Sequence, residues 1–174
     1  MVDDHVRLRP VAEEDLPFVE ALRTDPDLCG PFLWEGWRDP HRFRRRWQDD
    51  GWLGDDSALL IVARGADALG MVSYRRVELT GPVWCWSIGA LLAPEARGQG
   101  LGSRAQRLLV DYLFHHTLAH RIQAETDVDN IAEQRALERI GFTREGVVRA
   151  CSFLGGRYHD KVVYSILRTE VPPS

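Results

Sequence analysis

Residues Ala93 to Ser103 read Ala-Pro-Glu-Ala-Arg-Gly-Gln-Gly-Leu-Gly-Ser, with glycines at 98, 100 and 102. The run lies between an apolar strand-like segment and an amphipathic helix-like one. Glycines there let backbone N–H groups face outward without interference from Cβ atoms. The N-terminus of the following helix adds a partial positive charge. Together these features make a site for an anion such as a pyrophosphate. A tight strand-to-helix turn is the plain structural alternative. Two other nucleotide motifs do not fit. A dinucleotide fingerprint needs GxGxxG early in a βαβ unit, and here the spacing differs and antiparallel-type strands come first. A P-loop needs Gly-Lys-Ser/Thr, which is absent.

The elements around this loop follow from periodicity. Val6–Arg9 alternates and ends at Pro10, as a first strand does. Glu13–Arg23 reads as a short helix with Leu16, Val19 and Leu22 on one face, stopped by Asp25-Pro26-Asp27. Asp39-Pro40 reads as the start of a second helix carrying Phe43 and Trp47. Ala58–Ala63 and Leu69–Val77 form a hairpin about Gly65-Ala66-Asp67, and Val83–Leu92 is a further strand. Leu101, Ala105, Leu108, Leu109, Tyr112 and Leu113 keep helical spacing. Arg121–Thr126 is a strand. Asn130–Ile140 is a helix ended by Gly141 as a left-handed cap. Glu145–Leu154 and Val162–Leu167 make a last hairpin around Gly155-Gly156. The expectation is one domain over residues 1–174, of α/β or α+β class, with a mixed, mostly antiparallel sheet.

Composition narrows the function. The 174 residues carry a formal charge of -4, which argues against non-specific nucleic-acid binding. Lys161 is the only lysine among 22 basic residues. The opening Met1-Val2-Asp3-Asp4-His5 has acids where a signal peptide carries bases, and no apolar run has membrane length. A cytoplasmic protein without membrane contact is expected. Cys29, Cys85 and Cys151 form no CxxC and read as reduced thiols. No metal spacing is evident: His115-His116 reads as a helix end and His159 as structural. Arg42, Arg44, Arg45 and Arg46 read as the solvated side of a helix, with an acidic docking patch as the alternative. Rings crowd the segment from Phe32 to Trp52, and Trp84 and Trp86 lie on a strand. Such rings usually fill core. Trp34, Trp37 and Trp86 are the candidates for contact with a substrate.

Arg97-x-x-Gly100-x-Gly102 resembles the coenzyme A signature of GNAT-superfamily acetyltransferases. Ser87–Pro94 is similar to that family's bulged fourth strand. Asp129–Phe142 is similar to its fourth helix and the Gly-Phe turn. Glu145-Gly146-Val147, Gly156–Asp160 and Tyr164–Leu167 resemble its RimJ/RimL-like branch. The pattern spans Arg7 to Glu170. It implies a six- to seven-stranded sheet flanked by about four helices, and an acyl-CoA-dependent N-acetyltransferase acting as a monomer or homodimer. Acetyl-CoA is the implied cosubstrate, with no metal. Ala90, Leu91 and Leu92 are implied to pair with the pantetheine arm, and the Ala90 N–H to stabilise charge on the thioester oxygen. Arg97, Gly98, Gln99, Gly100, Leu101, Gly102 and Ser103 are implied to hold the pyrophosphate. Asn130 and Gln134 are implied to touch the coenzyme, Asn130 also being a helix cap.

The chain departs from that pattern at the catalytic positions. The fourth-strand Glu is replaced within Trp84-Cys85-Trp86-Ser87, the usual Tyr by Leu137, and a Ser of RimL-like proteins by Glu133. Glu35, Ser87, Glu133 and Tyr164 are the replacement candidates, with packing the plain alternative for Tyr164. An alkyl ammonium with pKa about 10.4 costs roughly 4 to 5 kcal/mol to deprotonate at pH 7, and an α-amine near 8 about 1 kcal/mol. A site without an evident strong base therefore suits an α-amine on a small molecule or peptide. A ribosomal-protein-type N-terminal acetyltransferase, a non-catalytic coenzyme A-binding module and a longer-chain acyltransferase are the alternatives.

Overall fold

The computed structural model describes residues 6–171. Seven strands form one sheet in the order β1-β2-β3-β4-β5-β7-β6. The strands are β1 Val6–Pro10, β2 Ser57–Arg64, β3 Asp67–Glu78, β4 Trp84–Leu92, β5 Arg121–Asp127, β6 Thr143–Leu154 and β7 Arg157–Leu167. All neighbours run antiparallel except β4 and β5. A parallel pair needs a crossover, and helix α4, Leu101–His116, supplies it.

Two apolar clusters fix which face meets which helix. Leu59, Ile61 and Ala63 of β2 pack with Leu16, Val19 and Leu22 of α1 (Leu16–Thr24) and Phe43 of α3 (Arg42–Asp50). Leu60 and Val62, between them in sequence, point the other way. They join Leu101, Ala105, Leu109 and Leu113 of α4 and Leu137 of α5 (Ile131–Arg139). Burial on both faces is why β2 reads as a continuous apolar run rather than an alternating one.

Local chemistry sets the boundaries. Asp25 does not simply stop α1. Its Oδ1 accepts from the Asp27 N–H at 2.8 Å and starts α2, Pro26–Cys29, with Pro26 in the first turn. The expected second helix begins two residues later than Asp39-Pro40 suggests. Asp39 caps a turn through the His41 N–H at 2.9 Å, and α3 starts at Arg42. Glu13–Asp15 is a 3₁₀ turn ahead of α1. Where β3 meets the end of β4 only a glycine fits. A Cβ on Gly70 would lie 2.5 Å from the Leu91 carbonyl oxygen and 2.8 Å from the Leu92 Cα.

Candidate active site

The β4–β5 pairing is short. It joins Trp86 to Ile122, Ser87 to Gln123 and Ile88 to Ala124, and ends there, although both strands continue. Beyond Ile88, β4 keeps its partner on the β3 side only, from Gly89 opposite Ser73 to Leu92 opposite Gly70. A gap therefore opens between the strands, and one edge of the 89–92 segment faces it without a strand partner. The sequence resemblance implied a bulge in β4. The β3–β4 register instead runs without a shift from Glu78–Trp84 to Gly70–Leu92, so divergence from β5, not a bulge, makes the opening.

The N-terminus of α4 points its first amides into the same region. Gly98 and Gly100 have φ of 75° and 76°, and no atom lies within 4 Å of where their Cβ would be. That is left-handed backbone in open space, which glycine adopts at least cost. Gly100 caps the helix with no side-chain hydrogen bond to the first turn, and that turn holds no acid. Its N–H groups thus remain available to an anion. Arg97 lines the cleft beside this loop. Its guanidinium donates to the Leu92 carbonyl at 3.0 Å and to the Leu28 carbonyl, bracing the loop against β4 and α2. Gln99 folds back on the Glu95 carbonyl at 2.8 Å.

A cleft of about 480 Å³ runs from this loop past Leu91 and Leu92. Arg135 and Arg139 of α5 line it, four apart on one helix face. Arg139 also donates to the Ser103 hydroxyl at 3.3 Å. These two arginines were not singled out from the sequence. Their i, i+4 spacing was legible, but nothing in the chain says that α5 faces the glycine loop. Uncapped amides, open glycines and two arginines along one cleft fit a diphosphate and its attached arm.

A second cavity of about 420 Å³ opens on the α1/α3 side of the sheet. Ser87, Ala90 and Leu91 line it, so it meets the gap in β4. Glu133 lines both cavities. It is half-buried, and burial pushes its carboxyl above the ordinary range while the nearby Gln106 amide opposes that rise. Gln106 is fully buried, and neither of its amide atoms has a hydrogen-bond partner. Asn130 caps α5 by accepting from the Glu133 N–H at 3.3 Å. Gln134 donates to the Val128 carbonyl at 2.8 Å and so shapes the turn entering α5 rather than reaching the cleft.

Several expected side chains lie elsewhere. Glu35 has 63% of its side chain exposed, pairs with Arg38 at 2.8 Å and lines neither cavity. Trp34 and Trp37 meet edge to face at 5.7 Å, and Trp37 is 81% exposed. The rings that do line the second cavity are Phe32, Trp52 and Tyr74. Trp86 is core on the opposite face. It meets Tyr74 and Trp84 edge to face and donates to the Thr117 hydroxyl at 3.0 Å. Strand alternation explains this: Ser87 faces the cavity, so its neighbour Trp86 must face α4. Tyr164 is buried and donates to Glu138 at 2.9 Å, a packing role as read. Glu125, which the sequence reading passed over, lines the second cavity. It is the one exposed position in the middle of an otherwise buried β5. Among the described residues, no group of His, Cys, Asp and Glu could hold a metal ion, and no helix is long and apolar enough to cross a membrane.

Known proteins share this architecture. The chain is 34% identical over 111 residues, 64% of its length, to Probable N-acetyltransferase YjcK of Bacillus subtilis. It spans 61% of that relative's length, and about half of two other curated relatives. Spermidine N-acetyltransferase from Vibrio cholerae, solved with CoA and spermine, superposes with a TM-score of 0.83 at 20% identity, covering 95% of this chain and 96% of that one. RimL, the ribosomal L7/L12 alpha-N-protein acetyltransferase solved with coenzyme A, superposes with a TM-score of 0.80 at 22% identity, covering 96% of each. These two likenesses are of fold. The family match rests on a sequence model described as Acetyltransferase (GNAT) domain, which covers residues 5–143. With the splayed β4–β5 pair and the uncapped α4 in place, the chain belongs to the GNAT acetyltransferase family.

Proposed function

We propose that the protein transfers an acetyl group from acetyl-CoA to a primary α-amine of a small molecule or peptide. The observation that carries this reading is the meeting of the unpartnered β4 edge with the uncapped N-terminus of α4. Bound acetyl-CoA supplies an acyl group already activated as a thioester. The amides of the 99–103 segment hold its diphosphate, and Arg135 and Arg139 add charge along the cleft. Ala90, Leu91 and Leu92 offer backbone to the pantetheine arm as a neighbouring strand would. The Ala90 N–H faces the negative charge that develops on the carbonyl oxygen during attack.

Glu133 stands where both cavities meet and gives its proton to the departing thiolate, while the nitrogen, which attacks as the neutral amine, loses its extra proton to solvent as the amide forms. Burial keeps that proton on the carboxyl to higher pH than an exposed glutamate would hold it. Ser87, buried on β4 beside the gap, orders the incoming amine. Glu35, being outside the cavities, has no part.

Thiol release from acetyl-CoA, measured with a panel of amines and N-terminal peptides, tests the reading. Thiol release that depends on an α-amine, with a mass gain of one acetyl group on that amine, supports it. Acetyl-CoA binding without transfer to any amine would leave a coenzyme-binding module. Faster transfer from longer thioesters would make it a longer-chain acyltransferase.

A further inference from the structure

The second cavity carries a charge pattern that bears on what the acceptor is. On this sheet face, Ser57, Arg75, Ser87 and Gln123 stand in one row across β2, β3, β4 and β5. One row further lie Leu59, Ser73 and Gly89, and the same step along β5 reaches Glu125. Glu125 and Gly89 therefore form the two lips of the gap where it opens. Arg75 stands two strands and one row away, about 12 Å between Cα positions from strand spacing and rise. An extended arginine spans much of that distance.

Seven charged side chains line the cavity: Arg23, Arg46, Arg75, Lys161, Glu125, Asp127 and Glu133. Three of them are already committed. Arg46 pairs with Asp50 at 3.2 Å and donates to the Ser57 hydroxyl at 2.8 Å. Asp127 holds His159 at 2.7 Å and the Asp129 N–H at 2.9 Å. Glu133 is the proton donor of the transfer step. Arg23, Arg75 and Lys161 have no ion-pair partner among the described residues, and neither has Glu125. The cavity thus presents three unpaired cations against the Glu125 carboxylate, with the buried Asp127 carboxylate, hydrogen-bonded to His159, as a second negative charge. A polyamine would find more repulsive contacts than a zwitterion, and like charges brought together at one site cost affinity.

We propose that the acceptor is a zwitterion of the α-amino-acid type. Arg75 and Arg23 hold its carboxylate, and Glu125 draws its ammonium to the mouth of the β4–β5 gap. Arginine's planar fork suits a carboxylate, which it can grip with two parallel hydrogen bonds. Phe32 and Trp52 are left to meet the side chain. The inference rests on the transferase reading above and names the substrate class for it.

The test compares kcat/KM for the standard amino acids, each against its own α-amide, and for spermidine, with acetyl-CoA saturating. The amides have the less basic amines, so without recognition of the carboxylate they react faster. At least one acid is expected to exceed its amide and spermidine about tenfold, the effect of a single good polar contact. Arg75→Gln is expected to raise KM for that acid about tenfold, with Arg75→Lys restoring part of it and both variants melting as the parent does. Equal or better turnover of the amides, or of spermidine, overturns the proposal. So does turnover of none of them by protein that calorimetry shows to bind acetyl-CoA, an outcome that leaves the cosubstrate site standing. Failure to bind acetyl-CoA overturns the reading beneath.

Discussion

At the scale of single residues, the proposed proton donor is Glu133, which stands apart from Leu137 at the usual Tyr position. Glu133 is a helix residue next to the Asn130 cap, in the first turn, where a glutamate is ordinary. In the proposed step its chemistry comes from burial between two cavities. Its carboxyl is raised, so the proton-donating form is lost as pH climbs through that raised value. The acceptor amine becomes reactive in the same direction. The activity profile is therefore expected to be bell-shaped, with Glu133 on the alkaline limb. Glu133→Gln should lower kcat by about 10²-fold and remove that limb, checked by steady-state rates across pH. Glu35→Ala should change neither kcat nor KM. The sequence could place Glu133 as a candidate through its distance from Asn130. It could not show that Glu35 turns outward to Arg38, because that depends on how an irregular segment folds back. Nor could it raise Glu125, which looks like any solvated strand acid until the β4–β5 gap is seen.

At the scale of elements, two contacts hold together the sheet that frames the site. The first is the approach of β3 to the end of β4. Gly70→Ala would force a Cβ to 2.5 Å from the Leu91 carbonyl oxygen, and backbone cannot yield as a side chain tip does. A loss of about 1–3 kcal/mol is expected in denaturant unfolding, with weaker acetyl-CoA binding because Leu91 and Leu92 shift. The second is the tie between β5 and β6. Arg121 grips Glu145 with two bonds of 2.6 Å, and the Ser165 hydroxyl donates to the same carboxylate at 2.7 Å. The Arg121 guanidinium chiefly holds the Glu145 carboxyl down from 4.5 to about 2. A depressed carboxylate stabilises the fold above its unfolded pKa and loses that contribution as pH falls through the folded value. The melting temperature should thus fall between about pH 4.5 and about pH 2, and Glu145→Gln should flatten that part of the curve. The strands were legible because apolar runs and alternation are local signals. The late start of α3 and the extra turn at Pro26–Cys29 were not, since Asp-Pro reads the same whether it stops a helix, starts one or caps a turn.

At the scale of the whole molecule, the sheet is two groups of strands joined at a short seam. β1 to β4 form one antiparallel group, β5, β7 and β6 the other, and three residue pairs join them. The glycine loop and the apolar strand before it announced a mixed sheet in the sequence, but not the short seam. The fold around them followed from the spacing of the later segments. What the sequence left out is which face each side chain takes at the seam. Ser87 and Trp86 are adjacent in the chain, yet one lines the acceptor cavity and the other is core under α4. A bound cosubstrate bridges the two groups where the seam fails, so it should stabilise the fold. At a hundredfold excess over Kd, linkage predicts about 2.7 kcal/mol.

That bridging is open to one direct measurement, a calorimetric titration of acetyl-CoA into the protein and into a Gly100→Val variant. Saturable one-to-one binding by the parent is expected. Much weaker binding is expected from the variant, in which a β-branched residue must adopt φ of 76° beside the anion site. No heat of binding from the parent up to millimolar acetyl-CoA, or equal binding by both proteins, would contradict the bridging.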